Sequence, residues 1–181
     1  MDNKSLEMLE FPKIREILAS YTSFSASRQL ALSLQPSSDS TAISQVLEQS
    51  AEARHLLTLE PDFSVRGALD IREAVQLAAR SKVLEPRLLV EIQMTLAAAR
   101  YVRHSLKKVP KESPSLWDIA DRIVEFPSLE SEIGRCITPS GEIMDSASAK
   151  LSELRRQLKE TRQQLLDRLE AIMRSPRGRR F

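Results

Sequence analysis

The chain has 181 residues and a formal net charge of +2, which suits one compact domain or one domain with an extension. Its hydrophobic fraction of 41% is sufficient for a core, while aromatic residues make up only 4% and glycine occurs four times, a composition that favours helices packed through Leu, Ile and Ala. One cysteine excludes an internal disulfide framework, and no apolar stretch approaches the roughly 20 residues of a transmembrane helix, so we expect a cytoplasmic protein with no membrane partner.

Apolar residues at spacings of three and four recur through residues 1–135, and the prolines fall almost entirely between these segments. Such spacing is typical of one-sided helices, and proline is favoured at a first helical position. The sequence therefore predicts a helical core domain over residues 1–135. In chain order, its main helices are expected to begin near Pro12 and Ser25, to cover 43–57 and 69–80, to begin again at Pro86, and to cover 116–123 and 129–133.

Residues 136–144 interrupt the helical pattern. They read C-I-T-P-S-G-E-I-M, with β-branched residues on both sides of a P-S-G turn. This arrangement is typical of a tight β-hairpin, which would direct the chain into the segment that follows. The predicted fold is therefore all-α, with a multi-helix core, one short β-hairpin over 136–144 and a long projecting C-terminal helix.

The long helix is predicted over residues 145–175, because no glycine or proline occurs between Gly141 and Pro176 and strong helix formers dominate. At a rise of 1.5 Å per residue it would be on the order of 45 Å long, which exceeds the width of a small domain. Residues 176–181 form a short basic tail.

One face of this helix carries a narrow apolar seam. An apolar residue repeats every seven positions along this face: Leu151, Leu158, Leu165 and Ile172. A coiled coil also needs apolar residues three positions after these, and that second set fails after Leu154. A helix with such a seam is not stable alone in water, so we expect a partner along it, either from the same protein or from another chain, including a second copy. The partner-helix seam comprises Leu151, Leu154, Leu158, Leu165, Leu169 and Ile172.

The charge is distributed unevenly. Residues 1–149 have a formal net charge of −4, whereas residues 150–181 have a formal net charge of +6. This surplus fits either the solvated face of an exposed helix or electrostatic contact with a polyanion. The candidate nucleic-acid contacts are Arg155, Arg156, Lys159 and Arg162.

No catalytic, cofactor-binding or metal-binding residues are predicted. The sequence contains neither G-x-x-x-x-G-K-[ST] nor G-x-G-x-x-G. His55 and His104 have no carboxylate or thiol at ligand spacing, and Cys136 is interpreted as a small hydrophobic residue. Because no nucleophile, base and oxyanion donor can be assembled, we expect this chain to be no enzyme and to hold no cofactor.

Several segments together resemble the type-2 branch of the bacterial MutS family, which lacks the mismatch-reading N-terminal domain. The resemblance covers essentially the whole chain, and its most specific part is G-E-I-x-D-x-A-S-x-x-L-x-x-L-R over residues 141–155. The other matching segments are L-E-F-P-K-I at 9–14, E-A with L-L within 52–57, D-I at 70–71, and Pro127 with Leu129 and Ile133.

The resemblance implies a helical core, or lever, that links a DNA-embracing clamp to a dimeric ATPase. Family members act on branched or recombining DNA, restrain recombination, cut nucleic acid through a C-terminal nuclease domain and rescue stalled ribosomes. The expected partners are therefore branched duplex DNA or the ribosome, and the expected occupant of the seam is the returning lever helix. ATP and magnesium are implied only for the full-length family, because this chain is expected to stop before the ATPase. The alternative is a stand-alone helical adaptor that docks a partner helix through the seam from Leu151 to Ile172.

Overall fold

The computed structural model describes residues 3–174. Within this part the chain forms nine α-helices and one short 3-10 helix, Asp145–Ala147, and no strands, which confirms the predicted all-helical class. In chain order the α-helices are α1 (Asn3–Met8), α2 (Phe11–Ser20), α3 (Ser25–Leu32), α4 (Ser40–Leu59), α5 (Arg72–Ala79), α6 (Pro86–Lys108), α7 (Pro114–Ala120), α8 (Pro127–Cys136) and α9 (Ala149–Arg174).

Proline marks the start of four helices, and one acidic residue caps α4. Four helices carry proline at their first or second position: α2, α6, α7 and α8. Proline fits there because its missing N–H has no intrahelical partner in the first turn. At the start of α4, Asp39 Oδ1 accepts hydrogen bonds from the backbone N–H groups of Thr41 (2.9 Å) and Ala42 (3.2 Å).

The main core lies between α4, α6 and α7. Leu56, Leu106 and Ala120 are buried at its centre. The half-buried residues packed around them are Phe63, Val102, Val109, Leu116, Trp117 and Ile123. The three helices therefore meet through apolar side chains, as burial of apolar surface requires.

A second core joins α6 to α8. Val90, Ile133 and Ile137 are buried together. Gly134 leaves room for the Gln93 amide between the two helices, because a Cβ at this position would lie 2.7 Å from Nε2 of Gln93. That amide donates a hydrogen bond of 2.9 Å to the backbone carbonyl of Glu130, so a polar bond reinforces the apolar contact.

Helices α2 and α3 pack against each other, and a polar cluster joins α3 to the start of α5. Asp70 accepts hydrogen bonds from Arg72 (2.5 Å) and from the hydroxyl of Ser25 (3.2 Å), and Arg72 also donates to Gln29 (2.9 Å). The hydrogen bond from the Arg72 side chain holds the pKa of the Asp70 carboxyl well below its usual range. The cluster therefore stays charged at neutral pH.

The predicted β-hairpin over residues 136–144 is not supported. Ile137 and Ile143 form a single antiparallel bridge, and the backbone N–H of Thr138 donates to the carbonyl of Glu142 (2.9 Å). Strands cannot extend from this pair, because α8 continues to Cys136 on one side and the 3-10 helix begins at Asp145 on the other. The segment is a tight turn, with Gly141 at a φ of +84°.

The long helix starts later than predicted. The segment from Asp145 to Ala147 forms the 3-10 helix, and α9 begins at Ala149. At a rise of 1.5 Å per residue, α9 is about 39 Å long. It contacts mainly the 3-10 helix, so most of it projects from the core as expected. The basic tail at 176–181, and residue 175 of the predicted helix, lie outside the described residues.

The chain has an open surface. It exposes 14286 Å², whereas a compact monomer of its mass, 20.5 kDa, exposes about 8,900 Å². Among residues 3–174, no helix is long and apolar enough to cross a membrane.

Candidate functional site

The junction at the base of α9 is held by side-chain hydrogen bonds. Arg155, in the second turn, donates to Oδ1 of Asp145 (2.5 Å) and to the carbonyl of Ile143 (3.0 Å). The hydroxyl of Ser146 donates to the carbonyl of Arg135 at 2.6 Å, which ties the 3-10 helix to α8. These bonds fix the direction in which α9 leaves the core.

The first turn of α9 is capped by Ser148. Its hydroxyl accepts a hydrogen bond of 3.1 Å from the backbone N–H of Leu151, as a serine before a helix commonly does. Asp145 does not cap α9, because its carboxylate binds Arg155 instead.

The seam residues lie on one side of α9 and meet solvent. Leu151, close to the junction, is half-buried, and every residue from 154 to 174 is exposed. Leu158 is 70% exposed, Leu165 59% and Ile172 61%. Leu166 and Met173 extend the same apolar surface and are also exposed. The described part of the chain thus leaves this surface uncovered.

The four candidate nucleic-acid contacts are not equivalent. Arg155 is held by Asp145, and Arg156 is paired with Glu153 (2.9 Å) and Glu160 (3.7 Å). The hydrogen bond from Arg156, followed by one from Gln157, lowers the pKa of the Glu153 carboxyl. Both arginines are therefore already ion-paired with carboxylates of the chain.

Lys159 and Arg162 differ from them. Neither has an ion pair with any residue of the range 3–174, and both are exposed. They are therefore the two candidates whose charge remains available to a partner.

The described residues hold no other cluster with recognisable chemistry. Between positions 3 and 174, no three His, Cys, Asp or Glu side chains are placed to hold a metal ion. His55 is exposed, and Nδ1 of His104 lies 2.9 Å from the carbonyl of Arg100 and 3.8 Å from the carboxylate of Glu125. Cys136 is half-buried, with Sγ 3.8 Å from Oε1 of Glu132.

Sequence reasoning missed the structural role of Glu52. This carboxylate is only 8% exposed, and it accepts hydrogen bonds from the backbone N–H groups of Ser115 (3.1 Å) and Leu116 (2.9 Å) at the start of α7. Its position four residues before Leu56, on the apolar face of α4, was the available signal. The carboxylate anchors α7 beside an apolar groove of about 510 Å³ between α4, α6 and α7.

Comparison with curated proteins finds relatives whose names agree. No family model matches the chain. It is 34% identical over 181 residues to "Endonuclease MutS2" of Pelotomaculum thermopropionicum, 36% identical over 179 residues to the protein of that name from Geobacillus thermodenitrificans, and 30% identical over 178 residues to "Putative endonuclease MutS2" of Bacillus subtilis.

These alignments cover 97% to 100% of this chain but only 23% of each of those relatives. The resemblance to the type-2 branch of the MutS family is thereby confirmed along the whole sequence. The chain spans less than a quarter of the length of the curated relatives that it matches.

Proposed function

We propose that this chain is the helical core and lever segment of a MutS type-2 protein, and that it has no catalytic activity of its own. The observation that carries the proposal is α9, a projecting helix of 26 residues with an exposed seam and a hydrogen-bonded base. An uninterrupted helix without glycine or proline is stiff, so it could transmit movement between the parts that it joins.

The role of the whole protein is inferred from the family. The relatives are named endonucleases, and the resemblance implies work on branched or recombining DNA, restraint of recombination or rescue of stalled ribosomes. ATP and magnesium would belong to parts of such a protein that have no counterpart in this sequence. The proposed location is the cytoplasm, which the single cysteine favours.

The nucleotide sequence that follows the codon for Phe181 tests this proposal directly. A continuing or neighbouring reading frame that encodes G-x-x-x-x-G-K-[ST] would support the lever, because the family requires an ATPase. A stop codon with no such sequence nearby would contradict it and would favour the stand-alone adaptor.

DNA contact through Arg155, Arg156, Lys159 and Arg162 is the second part of the proposal. Since Arg155 and Arg156 are paired with carboxylates, Lys159 and Arg162 would carry most of the attraction. Phosphate contacts of this kind do not depend on base sequence and weaken as salt rises. Binding should be roughly micromolar or weaker at physiological salt.

Titration of labelled branched duplex DNA at low and physiological salt tests these contacts. We expect the Lys159→Gln/Arg162→Gln double variant to bind several-fold more weakly than the wild type at low salt. The control is Arg156→Gln/Arg174→Gln, which removes the same charge from residues already paired with carboxylates. Equal affinity of the first variant and the wild type would show that these cations are merely solvated.

A further inference from the structure

The exposed surface of α9 contains a cation inside its apolar area. Leucines surround Arg162 at the helical neighbour positions: Leu158 is four residues before it, and Leu165 and Leu166 are three and four residues after it. All three leucines are exposed, and Arg162 has no ion pair within residues 3–174. A helix that covered the leucines would also cover the guanidinium, which must then find an anion.

The other charged residues of α9 are distributed by sign: most cations lie near the seam, and the carboxylates lie on the opposite side of the helix. At about 100° per residue, Lys150, Arg155, Arg162 and Arg168 lie within about 70° of the seam's centre, whereas Lys159 lies about 110° from it. The four carboxylates of α9 lie at least about 130° from that centre, so they face the opposite side. They are Glu153, Glu160, Asp167 and Glu170. Ion pairs with Arg156 and Arg174 hold Glu153, Glu160 and Glu170 there.

This distribution decides between three occupants. A second copy of α9, parallel or antiparallel, would place a basic seam against a basic seam, and like charges across a helix interface disfavour pairing. Nucleic acid would satisfy the cations but would leave Leu158, Leu165 and Leu169 in water, and α9 offers no aromatic residue for base stacking. A helix with an apolar stripe and acidic flanks would satisfy both the leucines and the cations.

We propose that the seam of α9 receives an acidic amphipathic helix, whose apolar stripe covers Leu158, Leu165 and Leu169 and whose carboxylate pairs with Arg162. The inference rests on the proposed lever function, because the family resemblance implies that the seam pairs with a returning helix, and it specifies the chemistry of that helix. It is an alternative to DNA contact through Arg162. It also makes self-association along α9 unfavourable.

The experiment uses the full chain of 181 residues and three synthetic peptides of about four heptads, a length at which helices begin to form in water. The peptides share one leucine stripe and differ only in the residues that flank it, which are Glu, Gln or Lys. Fluorescence anisotropy of each labelled peptide gives its affinity. We expect the Glu peptide to bind about tenfold more tightly than the Lys peptide at low salt, with the Gln peptide between them and the difference shrinking as salt rises.

Variants of α9 test whether Arg162 causes the preference for the Glu peptide. Arg162→Gln should reduce the preference for the Glu peptide by several-fold, while the matched control Arg156→Gln, on the opposite face, should leave it unchanged. Arg162→Leu should increase binding of the Gln peptide and should induce self-association in sedimentation experiments, because it makes the apolar surface continuous. Circular dichroism confirms that each variant retains its helices.

Each of the other possible results would refute a different part of the proposal. Equal binding of all three peptides would refute the acidic partner but would leave helix pairing, and hence the proposed function, intact. Failure to bind any peptide, together with DNA binding that requires Lys159 and Arg162, would refute the helix occupant and assign the surface to nucleic acid. Self-association of the wild-type chain that Leu165→Gln abolishes would show that the occupant is a second copy.

Discussion

At the scale of single residues, buried or paired side chains hold the helical core and the base of α9 in place. Glu52 reaches from the apolar face of α4 to the first turn of α7, where backbone N–H groups have no intrahelical partners. A carboxylate suits this position because it accepts two hydrogen bonds and its charge complements the positive end of the helix dipole. Burial strengthens the interaction, since water competes little for these groups.

We predict that Glu52→Leu lowers the free energy of unfolding by about 1–3 kcal/mol, because two part-buried N–H groups lose their acceptor. The matched control is Glu48→Leu, one turn earlier on the same face of α4 but exposed, which should change the free energy of unfolding by less than about 0.5 kcal/mol. Urea unfolding followed by circular dichroism measures both. Equal losses in the two variants would show that the Glu52 hydrogen bonds do not support the core.

At the scale of elements, α9 is organised differently from the other long helices. The apolar faces of α4 and α6 contain buried residues such as Leu56 and Leu106, whereas no residue of α9 is buried. Exposed apolar side chains add little to the stability of the chain that carries them. The conformation of α9 therefore depends on helix propensity, its ion pairs and its base, and its seam remains available for binding.

We predict that Leu158→Gln and Leu165→Gln each change the free energy of unfolding by less than about 0.5 kcal/mol, as exposed substitutions usually do. Leu56→Ala, in the main core, should lower it by about 2–5 kcal/mol. The same urea experiments compare the three variants. A loss of 2 kcal/mol or more from either seam variant would mean that the seam is already covered within this chain.

At the scale of the whole molecule, the chain is a helical core with a projecting arm and much exposed apolar surface. Met8, Leu30 and Leu47, on α1, α3 and α4, are all largely exposed in addition to the seam. Apolar surface of this extent on a monomer commonly marks contact sites. This agrees with the relatives, which are about four times as long as this chain.

We predict that the purified chain neither binds nor hydrolyses ATP, because its sequence contains no glycine-rich loop that could cradle phosphate groups. Equilibrium dialysis with labelled nucleotide and a phosphate-release assay measure the two properties. Turnover that persists through stringent purification and follows this polypeptide would contradict the lever proposal, because the chain would then be an enzyme in its own right.

The sequence alone determined the helical class, the approximate places of most helices, the resemblance to the type-2 MutS branch and the apolar spacing on α9. These properties depend on local signals: apolar spacing, proline at first turns, and a long run of strong helix formers. The turn at 136–144 was predicted wrongly as a hairpin, because its β-branched residues are local evidence for strands. Packing of Ile133 and Ile137 against α6 instead extends α8 to Cys136 and leaves room for one bridge only.

Only the tertiary structure decided which charges remain available and which helices meet. Asp145 binds Arg155 across ten residues, and Glu52 meets Leu116 across 64 residues, and no spacing rule predicts either contact. Glu153 and Glu160 lie three and four residues from Arg156, so spacing indicates those pairs, but the sequence could not show that Asp145 holds Arg155. Hydrogen bonds between distant residues exist only once the fold has brought their elements together, and that arrangement is set by the burial of side chains from several helices at once.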